Sequence, residues 1–325
     1  MTRPIYELLT KGKKVLINGR HVSYQVITSL KKNVFQAVTV GNNKPVMIKT
    51  ESSVPGVYDM ERNCYEFLCI KSSPYIRAIY EVIDNDIDRC MVFEWMDTDL
   101  WTLRPRAQEL CRPFLKATAK PILKVIKAFS DMDGQDAVVN TGINPNNILV
   151  SNVDSPQPLV KLSDLGADIR GLIKLLTSTS NSFQGVRWVA ASGFGHSGAR
   201  DIEKGFTRTA MRCLVHWRYP HFSAARALFG PGDQDSHAKA LSKGVNQAAW
   251  SIAKITQLVG PLQGMRIPAD VFVQRRIIEI GSLREELIKV NVPTDYIDFI
   301  QYLLTVDHRE RPTAEEALQH PWLQG

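Results

Sequence analysis

The stretch that decides the fold is Asp307-His308-Arg309-Glu310-Arg311-Pro312-Thr313-Ala314-Glu315-Glu316-Ala317-Leu318-Gln319-His320-Pro321-Trp322-Leu323. Thr313 stands immediately before a helix-forming run, with Glu316 three residues on. In that pairing the hydroxyl and the carboxylate each satisfy a backbone N–H that the helix start leaves without a partner, a capping box. Pro321 lacks an N–H and its ring collides with the preceding turn, so the helix must stop before it. Working back from this stretch, Tyr296-Ile297-Asp298-Phe299-Ile300-Gln301-Tyr302-Leu303-Leu304 carries apolar residues at helical spacing. Trp250 to Val259 reads as an amphipathic helix, and Leu283 to Leu287 begins a short one. The C-terminal part of the chain is therefore expected to be helical.

Composition narrows the class. A chain of 325 residues with 44% hydrophobic content can bury a sizeable core and suits one large domain or two lobes. The five cysteines (Cys64, Cys69, Cys90, Cys111, Cys213) are scattered without a C-x-x-C pair, which argues against a disulfide framework and a structural zinc site. An intracellular setting, cytoplasmic or nuclear, is the expectation. No apolar run approaches the ~18 residues of a membrane span, and Met1-Thr2-Arg3-Pro4 leads into no apolar signal core, so a soluble protein without membrane contact is expected. The net charge is +7, and up to Thr50 the only acid is Glu7, against Arg3, Lys11, Lys13, Lys14, Arg20, Lys31, Lys32, Lys44 and Lys49. Without interleaved aromatics this reads as a solvated face rather than a nucleic-acid surface, and an acidic partner is the alternative.

Residues 1–21 read as an N-terminal extension. From His21 to Ile48 the pattern is that of a strand meander, with Val22, Tyr24 and Val26, then Val34 to Val40, the turn Gly41-Asn42-Asn43, and Val46-Met47-Ile48 ending in Lys49. In Tyr58 to Cys69 the apolar residues Met60, Cys64 or Tyr65, and Leu68 follow a helical spacing, which puts Glu61 on the inward stripe. A buried carboxylate needs a cation, and Lys49 is the candidate; Glu66 is the rival acid, which the helix phase disfavours. Ile76 to Met96 reads as two strands, and residues 107–134 as a long helix carrying Pro121. Next come Val138 to Val150, a polar loop fixed by Pro145 that exits into Ile148-Leu149-Val150, and Leu159 to Gly166, a strand ending in Asp164-Leu165-Gly166.

In this order the motifs resemble those of the eukaryotic protein kinases, over about residues 22–325. The ending resembles D-x-x-x-R-P-T-A-x-E-A-L-x-H-P-W-L, particularly in the branch of cyclin-dependent and mitogen-activated kinases. Val46-Met47-Ile48-Lys49 resembles V-A-I-K, and Asn140 to Val150 resembles the catalytic loop H-R-D-x-K-P-x-N with its apolar exit. The resemblance implies an α+β, bilobal protein-kinase-like fold, with a β-rich small lobe over 22–96 and a mainly α-helical large lobe over 97–325. It further implies that Lys49, paired with Glu61, reaches the phosphates of ATP. Phe93 would form the inner wall of the pocket, and Glu94 to Met96 would offer backbone groups to adenine. Asn147 and Asp164 would hold Mg2+.

The departures from the family are specific. Asn140, Thr141, Gly142 and Asn144 stand where the loop has His, Arg, Asp and Lys, and Ile27, Ser29 and Lys32 stand where the phosphate-covering loop has glycines. Thr177 to Ser182 occupies the place of an activation loop. Arg187 to Ser192 is a worn form of the segment ending in A-P-E, with Ser192 for the glutamate that pairs with a buried arginine, and Asp201 heads the expected central helix. Gly142 has no side chain with which to orient a hydroxyl, and Asn144 carries no charge for the moving phosphate. The expected function is a pseudokinase that holds ATP and acts on a protein partner. The alternatives are an active serine/threonine kinase, slow or using a relocated acid from among Asp131, Asp133 and Asp136, and a nucleotide-free module for an acidic partner.

Overall fold

The computed structural model describes residues 5–10, 12–51, 56–106, 112–130, 143–165, 247–260, 269–277, 280–289, 291–307 and 309–325. Several expectations lie outside them: Asn140, Thr141 and Gly142; the acids Asp131, Asp133 and Asp136; residues 177–182 and 187–192; and the helix headed by Asp201.

The first lobe is a six-stranded antiparallel sheet. Its strands are β1 (Val15–Asn18), β2 (Ser23–Lys31), β3 (Val34–Thr39), β4 (Pro45–Thr50), β5 (Ile79–Asp84) and β6 (Arg89–Glu94), in the order β1-β2-β3-β4-β6-β5. The period of two sorts the side chains onto two faces. Met47, Met91 and Phe93 join the large core shared with the second lobe, whereas Val46, Ile48, Cys90 and Val92 join a separate core on the other face. This division explains the unbroken apolar run of β6, which is covered on both sides. The hairpin between β3 and β4 turns through Gly41 and Asn43, whose positive φ angles of 106° and 53° suit residues that tolerate the left-handed region. Within residues 1–21, Ile5–Thr10 forms α1 and Val15–Asn18 pairs with β2, burying Ile5, Val15 and Ile17 in the outer core.

Two short helices cross this lobe, α2 (Val57–Cys64) and α3 (Leu68–Lys71). Because the helix stops at Tyr65, the spacing that ran through Leu68 is broken, and Leu68 is exposed rather than part of the inward stripe.

The second lobe is mainly helical. Its long helix α4 (Arg112–Ser130) runs through Pro121 and buries Phe114, Leu115, Ala119, Ile122, Leu123, Ile126 and Phe129 on one side. A small antiparallel sheet, β7 (Thr98–Asp99), β8 (Ile148–Ser151) and β9 (Leu159–Leu162), carries the two polar segments that face the first lobe. The remaining described helices are α5 (Gln247–Val259), α6 (Ala269–Ile277), α7 (Leu283–Lys289), α8 (Thr294–Leu303), α9 (Ala314–Leu318) and α10 (Pro321–Gln324). At the end of the chain Thr313 and Glu316 form the reciprocal capping box, and Trp322 stacks on Tyr296 and Phe299 with ring centroids 4.6 and 4.7 Å apart. The architecture is α+β and bilobal. Among the described residues no helix is long and apolar enough to cross a membrane.

Candidate functional site

Between the lobes lies a cleft of about 360 Å³ with a charged end and an apolar middle. The charged end is built from three elements. Lys49 sits near the end of β4, one turn of α2 supplies Glu61, and Asp164 lies just past the end of β9, after Ser163. Lys49 Nζ donates to Glu61 Oε2 at 2.5 Å and to Asp164 Oδ1 at 2.8 Å. Glu61 is 2% exposed, whereas Asp164 is 48% exposed, so one carboxylate is locked in the core and the other faces the cleft. Burial alone would lower the pKa of Lys49, but the adjacent Glu61 and Asp164 carboxylates outweigh it and hold the ammonium above its ordinary value. Burial raises the Glu61 carboxyl despite Lys49, and the nearby charge of Asp164 raises it further. Asp164 has a φ of 58°, a left-handed backbone that Asp tolerates better than most residues. Glu66, the rival acid, is exposed.

The loop from Asn144 to Asn147 is held by bonds from both side chain and backbone. The Asn146 N–H donates to Asn144 Oδ1 at 3.0 Å, an Asx-type turn, and the Asn147 carbonyl accepts from the Ser163 N–H at 2.8 Å. That second bond fixes Asn147 beside Asp164, and both line the cleft. The apolar walls of the middle are Leu30, Val34, Met47, Phe93, Met96 and Leu149. Lys31 of the β2–β3 hairpin lines the cleft, and Lys32 is exposed. Of the places of the missing glycines, Ile27 falls where β2 slips register against β3 between Val26 and Thr28, Ser29 borders the second slip before Lys31, and Lys32 lies in the turn between the strands.

At the hinge end the polar groups of Glu94 are already engaged. Its N–H donates to the Ala78 carbonyl at 2.9 Å, and its carbonyl accepts from Arg77 Nε at 2.7 Å. Its carboxylate accepts from Lys161 Nζ at 2.7 Å and from the Ala78 N–H at 3.3 Å. Glu94 thus ties β6 to β9 across the lobes. Arg77 is 7% exposed, lies 5.7 Å from the Phe93 ring centroid, and is held by its backbone N–H to the Leu162 carbonyl. Met96 offers its N–H and C=O without a backbone partner among the described residues, while its sulfur takes the Ser151 hydroxyl.

This arrangement can be compared with known proteins. No protein-family model matches the chain. Among solved structures it superposes on a chain of the yeast RNA polymerase II CTD kinase CTDK-1 complex with a TM-score of 0.62, covering 96% of each chain at 18% identity. The fold is that of a protein kinase. A short segment of 35 residues is also 60% identical to the calcium/calmodulin-dependent protein kinase cmkA of Emericella nidulans; it covers 11% of this chain and 8% of that relative. The cleft of this kinase-like domain brings Lys49, Glu61, Asn147, Asp164 and Met96 together, whereas Glu94 is not among its lining residues.

Two cations at or beside the kinase-like cleft escape a reading of motifs. Arg77 is buried, lines the cleft and bonds a backbone carbonyl, whereas Lys161 is half-buried, lies outside the lining and bonds the Glu94 carboxylate. The available signal was a lone arginine within the apolar run Tyr75-Ile76-Arg77-Ala78-Ile79. A cation there has to find an acceptor or stay unpaired.

Proposed function

We propose that this kinase-like domain no longer transfers phosphate and works by binding, holding a nucleotide in the cleft and a protein partner on its surface. The observation that carries the reading is Asn144. Where the family has a lysine for the moving phosphate, this chain has an amide whose oxygen is spent on the Asn146 N–H. Gly142 adds to it, since a glycine supplies no group to orient or deprotonate a substrate hydroxyl. Loss of a positioned acid–base group typically costs roughly 10²–10⁴-fold in rate, and loss of the cation costs more on top.

The donor set suits part of the family's usual ligand. Asp164 and Asn147 present hard oxygens of the kind Mg2+ takes, and Lys49 would meet phosphate oxygens. The metal would supply charge neutralisation of the phosphates. The hinge departs from a simple adenine site, because the Glu94 carbonyl that would accept its amine also accepts from Arg77 Nε, which sets a cationic donor beside that place.

The test is transfer of labelled γ-phosphate to generic protein acceptors with Mg2+. No transfer above background is expected from the parent chain, and Gly142→Asp with Asn144→Lys is expected to raise it. Transfer by the parent chain that Asp164→Ala abolishes would sink the reading. It would favour instead a serine/threonine kinase, for which the meeting of Lys49, Glu61 and Asp164 is the supporting observation.

A further inference from the structure

We infer that Arg77 re-specifies the base pocket, so that the cleft selects 6-oxopurine nucleotides, those of guanine and hypoxanthine, over adenine nucleotides. The inference rests on the reading of the cleft as a nucleotide site, and it starts from an unusual buried side chain. Arg77 is more than nine-tenths buried, lines the cleft, and spends only Nε, on the Glu94 carbonyl. Its two terminal nitrogens make no hydrogen bond among the described residues and are not among the buried atoms left without a partner, so solvent in the cleft reaches them. A guanidinium carries five N–H donors and no acceptor. The wall of the pocket that would accept an amine has therefore gained a set of cationic donors.

The consequence for ligand chemistry is direct. Adenine carries a donor amine at position 6, which would face the Arg77 donors and have to share the Glu94 carbonyl with Arg77 Nε. A 6-oxopurine carries an acceptor there, and arginine paired to O6 and N7 is the commonest base-specific contact of guanine. The N1–H of a 6-oxopurine is a donor where adenine N1 is an acceptor, and the free carbonyl of Met96 at the hinge can receive it. The remaining features ask for a planar base with an anion attached. Leu30, Val34, Met47 and Leu149 wall the middle of the cleft, and Lys49 stands at its charged end. Burial holds the Arg77 pKa down to about 10, so the guanidinium is still charged at neutral pH.

The experiment measures binding of ITP, GTP and ATP, each with Mg2+, to the full chain by calorimetry. ITP differs from ATP only in the 6-oxo group and its N1 proton, so this pair isolates the feature Arg77 reads. A mispaired donor in a buried site corresponds to roughly a 10- to 100-fold loss. ITP and GTP are therefore expected to bind at least about tenfold more tightly than ATP. In Arg77→Met, with folding checked by circular dichroism, the preference is expected to vanish or reverse as the Glu94 carbonyl is released. ATP binding as tightly as ITP to the parent chain would overturn the inference, and so would a folded Arg77→Met that keeps the preference. Absence of binding by all three would overturn it together with the nucleotide part of the proposed function. Phosphate transfer bears only on that function: a chain that transfers phosphate yet prefers ITP would sink the pseudokinase reading and leave the base selection standing. The parent measurement needs no variant, so a misfolded Arg77→Met does not blunt the test.

Discussion

At the charged end of the cleft one lysine is shared by two carboxylates, Glu61 at 2.5 Å and Asp164 at 2.8 Å, and nothing else in the described structure competes for it. At the hinge end the traffic runs the other way. There Glu94 is shared by two cations, Arg77 on its carbonyl and Lys161 on its carboxylate. The first arrangement leaves an exposed acid facing the cleft; the second leaves donors facing it. Kinase-like architecture is retained at both ends, but its polarity is unchanged only at the first. What separates the two is the partner of the buried charge. Glu61 depends on a side chain supplied by a neighbouring strand, whereas Arg77 depends on main chain that any sequence would provide.

The largest effect is expected from Lys49→Met, because it strands Glu61 at 2% exposure. Removing one partner of a buried pair costs about 3 kcal/mol or more. The sign of its pH dependence follows from the Glu61 carboxyl, which burial already holds above its ordinary value. Without Lys49 it rises further. A folded-state pKa above the unfolded value near 4.3 means that stability is fully present below that value and is lost as pH rises through the folded one. Urea denaturation is therefore expected to show a small deficit near pH 5 and a larger one near pH 8. A deficit independent of pH would mean that Glu61 finds another cation, and the contrast between the two ends would fail.

A smaller effect is expected at the hinge. Lys161→Met leaves the Glu94 carboxylate with the Ala78 N–H at 3.3 Å, but Glu94 is 19% exposed and reaches water more easily than Glu61 does. A loss of about 1.5 kcal/mol is expected, less than for a fully buried pair. Adding Glu94→Gln should recover about 1 kcal/mol of it, the sign of a direct coupling. Additive losses in that double-mutant cycle would show that the two side chains do not hold the lobes together.

How much of this was legible in the sequence depends on the kind of partner. The capping box at Thr313 and Glu316 is local, so its two residues announce it. The Lys49–Glu61 pair was legible because helix phase puts Glu61 inward and a buried acid requires a cation. Leu68 was misread because spacing continues through Tyr65-Glu66-Phe67 while the helix does not. β1 was missed because four residues of alternation at Val15–Asn18 follow closely on a lysine-rich stretch. Arg77 was missed for a deeper reason. A bond to a backbone carbonyl leaves no mark on any second residue, so no pairing could be sought.

Tyr65 lies between the two ends, its ring tilted against Phe93 at 5.5 Å, and its buried hydroxyl has no partner among the described residues. Tyr65→Phe is expected to stabilise by up to about 1 kcal/mol, since it removes an unmet polar group without opening a cavity. Denaturation midpoints at unchanged slope would measure it. A loss of similar size would reveal an acceptor for the hydroxyl and a polar link between the charged end and the hinge.

The smallest effect on stability is expected from Asp164→Asn. Two consequences oppose one another there. Lys49 loses the second of the carboxylates that hold its ammonium above the ordinary value, while Glu61 loses a like charge that raises its own carboxyl. Asp164 is 48% exposed, so solvent screens the first, and Asn accepts the left-handed backbone at φ 58° about as well as Asp does. A net change within about 0.5 kcal/mol is expected. Because the Glu61 carboxyl moves down in this variant and up in Lys49→Met, stability of the two should diverge in opposite directions as pH rises from 5 to 8. Parallel pH profiles would mean that the three charges do not act as one unit, and that the charged end is no more tightly organised than the hinge.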